Sequence, residues 1–320
     1  MSMRIRFAAL ALPLAVAGFL STTLSARPPV SPSAGRAAAA SAKSHAPRPA
    51  PAAQAPRPAL WKIADADTTI WLFGTIHALP ADLPWLQGKV ATALKGSQVL
   101  VTELPDTPPE AMQAAVMAHG MLPPDQTLRA TMSEADRAAY DKAMTGMGFR
   151  PETFDRAQPW LAAMSLVLVP VKQAGYDPAS GADVKLAALA KARGIPREGL
   201  ETAEGQMAMF AGLPQEVQYQ YLREVVAGIG SIKGELAAMI KAWSAGQADK
   251  VAELDKDKQD DPRMIATLIT DRNKAWADWV QQRMAKPGVV FMAVGAGHLA
   301  GKDSVQEVLR QRGIETVRVQ

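Results

Sequence analysis

The clearest guide to the architecture is the stretch TIWLFGTIH, residues 69–77. Its first five residues are β-branched or large and apolar, which is typical of a buried strand, and Gly74 ends the run. A helical pattern follows over residues 84–95, and a second apolar run at 98–102 leads directly into Glu103. Strand, helix and strand in this order predict a β–α–β unit whose strands are parallel through a right-handed crossover.

The same pattern returns near the end of the chain. The stretch VVFMAVGAGH, residues 289–298, reads as a buried strand that breaks at Gly295, and a helix and a last strand at 315–319 follow it. The intervening residues are mainly helical by spacing, with Pro159 interrupting a helix predicted over 151–169 and a short strand at 195–200. The sequence therefore predicts an α/β fold. It has two β–α–β units with paired Gly-x-x-His turns around a central sheet and a large helical insertion over about 106–285.

Composition excludes several classes of protein. The 320 residues, 48% of them hydrophobic, are enough for a sizeable core. The absence of cysteine excludes disulfides, thiolate nucleophiles and cysteine-ligated zinc or iron–sulfur sites. The first 60 residues carry seven basic and no acidic residues, which leaves 28 basic and 31 acidic residues in the rest of the chain. The excess of basic over acidic residues therefore lies outside the predicted folded domain, and we expect no nucleic-acid partner.

The N-terminal region has the pattern of an exported protein. Arg4 and Arg6 precede an apolar run of 14 residues, so residues 1–26 are predicted to be a signal peptide. The run is short for a membrane span of about 20 residues, although a leader that stays uncleaved as a membrane tether is the alternative. Residues 27–59 are rich in Pro and Ala and are predicted to be a disordered linker before a domain at 60–320. We expect the domain to lie in the periplasm or cell envelope.

Two histidines occupy matching places in the two predicted units. His77 and His298 both follow a buried strand in a Gly-x-x-His turn. Ligands of parallel α/β sheets bind at the carboxyl ends of the strands, so the pair indicates a site. The alternative is that both are polar side chains that cap strand ends and bind nothing.

Two carboxylates follow strands in the same way. Glu103 ends the second predicted strand, and Glu201 ends the short strand at 195–200. Two histidines with one or two carboxylates suit Mn²⁺, Fe²⁺, Co²⁺ or Zn²⁺, with open positions for water and substrate. A glutamate that does not bind metal could act as a general base if burial raises its pKa. The alternative for each is an acidic residue at the start of a loop.

One charged residue falls on an apolar helix face. The helix predicted over 261–285 carries an apolar stripe, and Arg272 lies within that stripe with Asn273 beside it. A charge on a buried face is costly unless it is paired, so Arg272 should contact a carboxylate or a substrate group. The alternative is an arginine whose stem is buried while its guanidinium reaches water.

These residues together resemble the TraB/GumN family. The resemblance covers 60–320 and is carried by five motifs in the family's order: WLFGTIH at 71–77, VTE at 101–103, GLET at 199–202, DRN with Trp276 at 271–276, and VGAGHLAG at 294–301. It implies an α/β core with both Gly-x-x-His motifs facing one site. The related animal Tiki proteins are metal-dependent proteases supported by Mn²⁺ or Co²⁺.

By this resemblance, the family's motif residues would be His77, His298 and Glu103 at the site and Arg272 and Asn273 as the Arg-Asn pair. The predicted function is therefore an exported, metal-dependent hydrolase that cleaves a peptide or protein substrate. The expected ligands are His77, His298 and Glu103, with Mn²⁺ or Co²⁺ favoured and Zn²⁺ or Fe²⁺ as other candidates.

In the predicted reaction, Glu201 or Glu103 moves the proton, while Arg272 holds a carboxylate or stabilises the oxyanion. Two other functions stay open from the sequence. One is a periplasmic protein that binds a peptide or ligand without turnover, and the other is an accessory factor of envelope polysaccharide assembly.

Overall fold

A computed structural model describes residues 55–255 and 261–320 of the chain. The predicted signal peptide and all but the last few residues of the predicted linker lie outside the described residues. Within the described ranges, no helix is both long enough and apolar enough to cross a membrane.

Six strands in the described part of the chain form one mixed sheet. They are β1 (Leu60–Ala64), β2 (Thr68–Thr75), β3 (Val99–Thr102), β4 (Arg197–Gly199), β5 (Gly288–Gly295) and β6 (Val317–Arg318). Their order across the sheet is β4-β3-β5-β2-β1-β6. The first four in this order are parallel, and β1 is antiparallel to both β2 and β6. The predicted α/β class is confirmed.

The strand β5 lies between β2 and β3, which the order of elements along the chain did not indicate. Both β2 and β3 pair with β5 in parallel, so they have the predicted common direction without being neighbours. The last six residues of β5 are buried, and alternate side chains enter two different clusters. Phe291 packs on one face of the sheet and Met292 on the other. A strand that is apolar on both faces is stable only inside a sheet covered on both sides, which accounts for its central place.

Helices cover the two faces. They are α1 (Gly88–Lys95), α2 (Pro109–Gly120), α3 (Glu134–Gly146), α4 (Pro159–Gln173), α5 (Ala182–Ala192), α6 (Ala203–Ala211), α7 (Gln215–Gly228), α8 (Ile232–Ser244), α9 (Ala248–Asp255), α10 (Pro262–Ile265), α11 (Asp271–Met284) and α12 (Val305–Gln311). Helices α1 to α10 contribute to the larger core on one face of the sheet. The α11 and α12 helices pack on the opposite face with a smaller cluster.

Two helical predictions need correction. The helix predicted over 151–169 begins only at Pro159, because proline at the first helical position loses no intrahelical hydrogen bond, and residues 151–154 form a separate 3₁₀ turn. The helix predicted over 261–285 is not regular. Residues Ala266–Thr270 form a π-helical turn between α10 and α11. Such turns are frequent at functional sites, and this one lies immediately before Arg272.

Candidate functional site at the carboxyl edge of the sheet

The carboxyl ends of β2, β3, β4 and β5 bring the predicted site residues to one edge of the sheet. The strand register places Thr75 opposite Gly295 and Thr102 opposite both Ala293 and Gly199. The four predicted side chains that follow these strands, in chain order, are His77, Glu103, Glu201 and His298. Each lies within three residues of the end of its strand.

Arg272 reaches this edge from α11 and uses all five of its N–H donors. Its Nε donates to Glu201 at 2.6 Å, and its Nη2 donates to Glu103 at 2.6 Å and to Glu201 at 3.0 Å. Its Nη1 donates to the Leu268 carbonyl and lies 3.1 Å from His298 Nε2. The side chain is 6% exposed. Arg272 is thus a buried arginine paired with carboxylates, which is one of the two environments that the sequence argument allowed.

The two carboxylates have different surroundings. Glu103 Oε1 also accepts the Gly295 N–H at 2.7 Å, and burial of this group is outweighed by Arg272 and the two histidines, so the pKa of Glu103 is well below its usual range. Burial raises the pKa of Glu201 above its ordinary value, and the neighbouring Glu103 carboxylate adds to the rise, whereas the Arg272 guanidinium opposes it. Glu201 also accepts hydrogen bonds from Trp276 Nε1 at 3.1 Å and Gln206 Nε2 at 3.1 Å.

His298 is fully buried and has a partner on each ring nitrogen. Its Nδ1 lies 2.7 Å from Asn273 Oδ1, while the Asn273 amide nitrogen donates to the Asp303 carbonyl at 2.7 Å. This pairing assigns the proton to Nδ1, so that Nε2 accepts from Arg272. Burial and the Arg272 guanidinium lower the pKa of His298 to about 3, and the imidazole is neutral. Trp276 packs against the ring at a centroid distance of 4.4 Å.

His77 is arranged differently. Its Nδ1 lies 3.2 Å from Asp183 Oδ1, whereas its buried Nε2 has no hydrogen-bond partner among the described residues. Burial alone would lower the pKa of His77, but the carboxylates of Asp183 and Glu103 outweigh it and raise the pKa to about 8. A Cβ at Gly295 would lie 3.6 Å from His77 Nε2 and 3.2 Å from Glu103 Oε1. These two polar atoms therefore flank the same point of the backbone.

Two glycines allow the strand ends to come this close. A Cβ at Gly74 would lie 2.9 Å from the Ala296 Cα, so the end of β2 is in close contact with the segment that follows β5. A Cβ at Gly295 would press on Glu103 and the His298 ring. The segments themselves differ, because His298 lies in a 3₁₀ turn at Ala296–Leu299 and His77 lies in irregular backbone.

The predicted metal ligands differ in how many of their donor atoms are already engaged. Over residues 55–255 and 261–320, no group of three or more His, Asp or Glu side chains is close enough together to hold a metal ion. His298 has no free ring nitrogen, since Asn273 and Arg272 occupy both. Within the described residues, His77 Nε2 has no hydrogen-bond partner, whereas the two Glu103 oxygens accept from Gly295 and Arg272. Ligation by His298 stays a prediction and requires Arg272 to move.

Two polar residues of the site were not predicted from the sequence. Asp183 contacts His77 from the first turn of α5, and Gln206 joins Glu103 and Glu201 from α6. Asp183 looks like any acidic residue at a helix start, and Gln206 like any polar helical residue, so nothing local distinguishes them. Trp276, which the sequence pointed to only as part of a family motif, is buried and contacts Arg272 and His298.

Comparison with known proteins supplies a family but no activity. The profile of the TraB/PrgY/gumN family matches residues 59–318. An uncharacterized protein of Treponema pallidum is 24% identical over 270 residues, which is 79% of this chain and 80% of that protein. The uncharacterized protein YbaP of Escherichia coli is 26% identical over 243 residues, which is 75% of this chain and 87% of YbaP. No solved structure matches the chain significantly.

Proposed function

Because the chain belongs to the TraB/PrgY/gumN family, we propose that it is a hydrolase that cleaves peptide bonds at the carboxyl edge of its sheet. The observation that carries this proposal is the state of His77. Its Nδ1 lies 3.2 Å from Asp183 Oδ1, and its buried Nε2 has no partner within the described residues. A buried polar atom without a partner is costly, and at the carboxyl edge of a parallel sheet a ligand, an ion or a reacting group can supply that partner.

We propose that a divalent ion, Mn²⁺ or Co²⁺ in preference to Zn²⁺ or Fe²⁺, is held by His77 Nε2 and Glu103. When bound, such an ion lowers the pKa of its water and polarises a carbonyl. Asp183 keeps the His77 ring oriented, with Nε2 directed away from it. Glu201 is suited to hold a proton during the reaction, since burial already raises its pKa.

Arg272 acts mainly by holding the acidic side chains in place. Because its five N–H groups are engaged within the protein, direct contact with a substrate would require it to release one partner. Asn273 holds the proton of His298 on Nδ1, which keeps Nε2 as an acceptor for Arg272. A direct role of Arg272 on an oxyanion and of Asn273 in catalysis stays a prediction.

The test is turnover of a peptide library by the full chain with Mn²⁺, followed by mass spectrometry. We expect new peptide products, and we expect His77→Gln to reduce product formation by about a hundredfold or more, because it removes the free ring nitrogen. His119→Gln is the matched control, since His119 contacts Glu204 outside this site. Products that persist unchanged in His77→Gln would contradict the proposal.

Metal dependence has its own measurement. We expect activity to be lost after dialysis against a chelator and to return with Mn²⁺ or Co²⁺, with the ion lost from both His77→Gln and Glu103→Gln. Full activity in protein shown by elemental analysis to be metal-free would contradict the metal site. It would leave the His77–Asp183 pair as the proton-transferring group.

Export is proposed from the N-terminal region. We expect the mature chain to begin near residue 27 and to be recovered from the periplasm or cell envelope. N-terminal sequencing of the fractionated protein tests this, and a chain that still starts at Met1 in the membrane fraction would indicate the tethered alternative. A protein that binds peptides without products would favour the binding function, and co-purification with envelope enzymes would favour the assembly function.

A further inference from the structure

A cavity of about 40 Å³ lies beside His77, between the segments that follow β2 and β5. Its floor is formed by residues 75–78 and 295–297, and helices α4, α8 and α9 close it from above. The volume is enough for a few water molecules or a small aliphatic group. The cavity therefore connects the proposed reaction site to the helical layer.

The walls of the cavity are mostly apolar. Leu168 and Val171 come from α4, Leu236 and Met239 from α8, and Val251 from α9. Asp255, at the end of α9, also lines the space. Of the five apolar wall residues, all except Leu168 are almost completely buried. A pocket of this kind takes an aliphatic group through the area that it removes from water.

Thr75 is a second polar feature of the same cavity. It is 1% exposed, and its hydroxyl oxygen has no hydrogen-bond partner among the described residues. It is the last residue of β2 and lies opposite Gly295 in the register with β5. Two residues that line one small cavity, Thr75 and His77, thus each carry a buried polar atom without a partner. A ligand with a polar group next to an apolar group could form a hydrogen bond with these polar atoms and pack against the apolar side chains of the cavity.

We infer that this cavity is a specificity pocket that takes a small aliphatic side chain of the substrate, with the Thr75 hydroxyl donating to the carbonyl oxygen of that residue. The preferred substrates are then peptides with Ala- to Val-sized residues beside the cleaved bond. The inference rests on the proposed function for the reaction itself, but binding to the pocket can be measured without turnover.

The experiment uses N-acetyl-valinamide as the probe and the ε-methyl NMR signal of Met239 as the readout, with the full chain labelled at methionine methyl groups. Met239→Leu assigns the signal. We expect a saturable shift with N-acetyl-valinamide and none with N-acetyl-lysinamide. No shift with N-acetyl-valinamide, or equal shifts with both amides, would overturn the inference.

Two pairs of variants test the role of the Thr75 hydroxyl and of the cavity size in binding. Thr75→Val should raise the Kd for N-acetyl-valinamide by about fivefold, the value of one neutral hydrogen bond, and Thr75→Ser should restore binding. Val171→Leu narrows the cavity and should weaken binding by about tenfold. The control Val167→Leu alters a buried valine of the same helix that does not line the cavity. Equal effects of the two valine variants would overturn the inference.

The binding and cleavage measurements together distinguish a failure of the pocket inference from a failure of the proposed hydrolase function. Saturable, Thr75-dependent binding without peptide products supports the pocket and contradicts the proposed hydrolase. Peptide cleavage with no preference for aliphatic residues, and with no response to Thr75→Val, supports the hydrolase and overturns the pocket.

Discussion

Arg272 shows how one side chain can determine the charge balance of a buried site. Its guanidinium carries a single positive charge and is shared by Glu103 and Glu201, both of which are almost fully buried. Because burial of an unpaired charge is far more costly than burial of a pair, the arginine is required for the stability of the fold as well as for the geometry of the site.

The loss of this arginine should therefore be measurable as instability. We expect Arg272→Met to lower the free energy of unfolding by about 3–5 kcal/mol, because it leaves two buried carboxylates without their cation. Urea unfolding measures the change. Arg263→Met is the control on the preceding helix, where the side chain is 51% exposed, and it should change the free energy of unfolding far less. Adding Glu201→Gln to Arg272→Met should recover part of the loss, and no recovery would contradict the charge argument.

Tyr140 is a buried side chain outside the site whose hydroxyl group affects the stability of the fold. It is 1% exposed, and its hydroxyl has no hydrogen-bond partner in the described ranges. Tyr140→Phe removes that buried polar group, so we expect the free energy of unfolding at pH 7 to rise by about 1 kcal/mol. A clear loss of stability in this variant would show that the hydroxyl is satisfied in solution.

The sign of the alkaline effect follows from burial, which raises the pKa of Tyr140 with a further contribution from the Asp155 carboxylate. Above pH 10, an unfolded tyrosine loses its proton while the folded one keeps it, so the unfolded state binds fewer protons and stability falls as pH rises. Tyr140→Phe lacks this contribution. Urea unfolding between pH 9 and pH 11 should show a shallower decline for the variant, and parallel curves would contradict the assignment.

At the scale of elements, the contact between the end of β2 and the segment after β5 depends on Gly74. A methyl group there would meet the Ala296 backbone at 2.9 Å, and neither segment can move away without disturbing a strand. We expect Gly74→Ala to cost about 1–3 kcal/mol of unfolding free energy and to reduce peptide turnover with it.

The control for this change is Gly234→Ala in α8, where a Cβ would meet nothing within 4 Å. Because alanine favours a helix interior, Gly234→Ala should leave stability unchanged or raise it by up to about 1 kcal/mol. Thermal unfolding of both variants measures the difference. A Gly74→Ala variant as stable as Gly234→Ala would show that the two segments are not in tight contact.

The sequence was sufficient to predict which polar residues follow the ends of the strands. It did not reveal which side chains these residues contact in the fold. His77, Glu103, Glu201 and His298 could be predicted because a short apolar run followed by a break identifies a strand end without any tertiary information. The position of β5 between β2 and β3 depends on which pairing buries most apolar surface, and that is a property of the whole chain. Strand β1 was missed because only two of its five residues are fully buried.

The details of the site were less predictable for the same reason. The π-helical turn before Arg272 has no sequence signal, although it sets the helix face on which Arg272 and Asn273 lie. The contact between Asp183 and His77 joins residues more than 100 positions apart. The apolar helix stripe and the family resemblance both pointed to Arg272 and Asn273, and the structure adds that Arg272 contacts carboxylates while Asn273 contacts His298.

At the scale of the whole molecule, the sheet depends on a strand from the far end of the chain. Pairing of β2 with β5 joins residues such as Thr68 and Gly288, with the helical insertion between them. Until β5 is in place, β2 and β3 each lack a neighbouring strand, and the apolar clusters on both faces of the sheet lack the side chains of β5. Contacts of such long range are slow to form and are formed together.

This dependence predicts the behaviour of shortened chains. A chain that ends at Lys286 lacks β5, and we expect it to show no cooperative urea transition by near-ultraviolet circular dichroism, because β2 and β3 lose their shared neighbour. The control chain ends at Gly313 and lacks only β6, which pairs through two residues, so it should unfold cooperatively at lower urea. A cooperative transition in the shorter chain would show that the helical insertion folds without the sheet.

The two strands at the borders of the sheet have a consequence for self-association. The β4 strand has three residues and the β6 strand two, so each offers very little free backbone to a second molecule. Both carry charged side chains, and Arg318 also lies over the Trp61 ring at 5.9 Å. Short, charged borders are poor templates for the stacking of further chains into fibrils. While the sheet is intact, the long and apolar β2 and β5 strands have a strand on each side and cannot take part in amyloid-like growth.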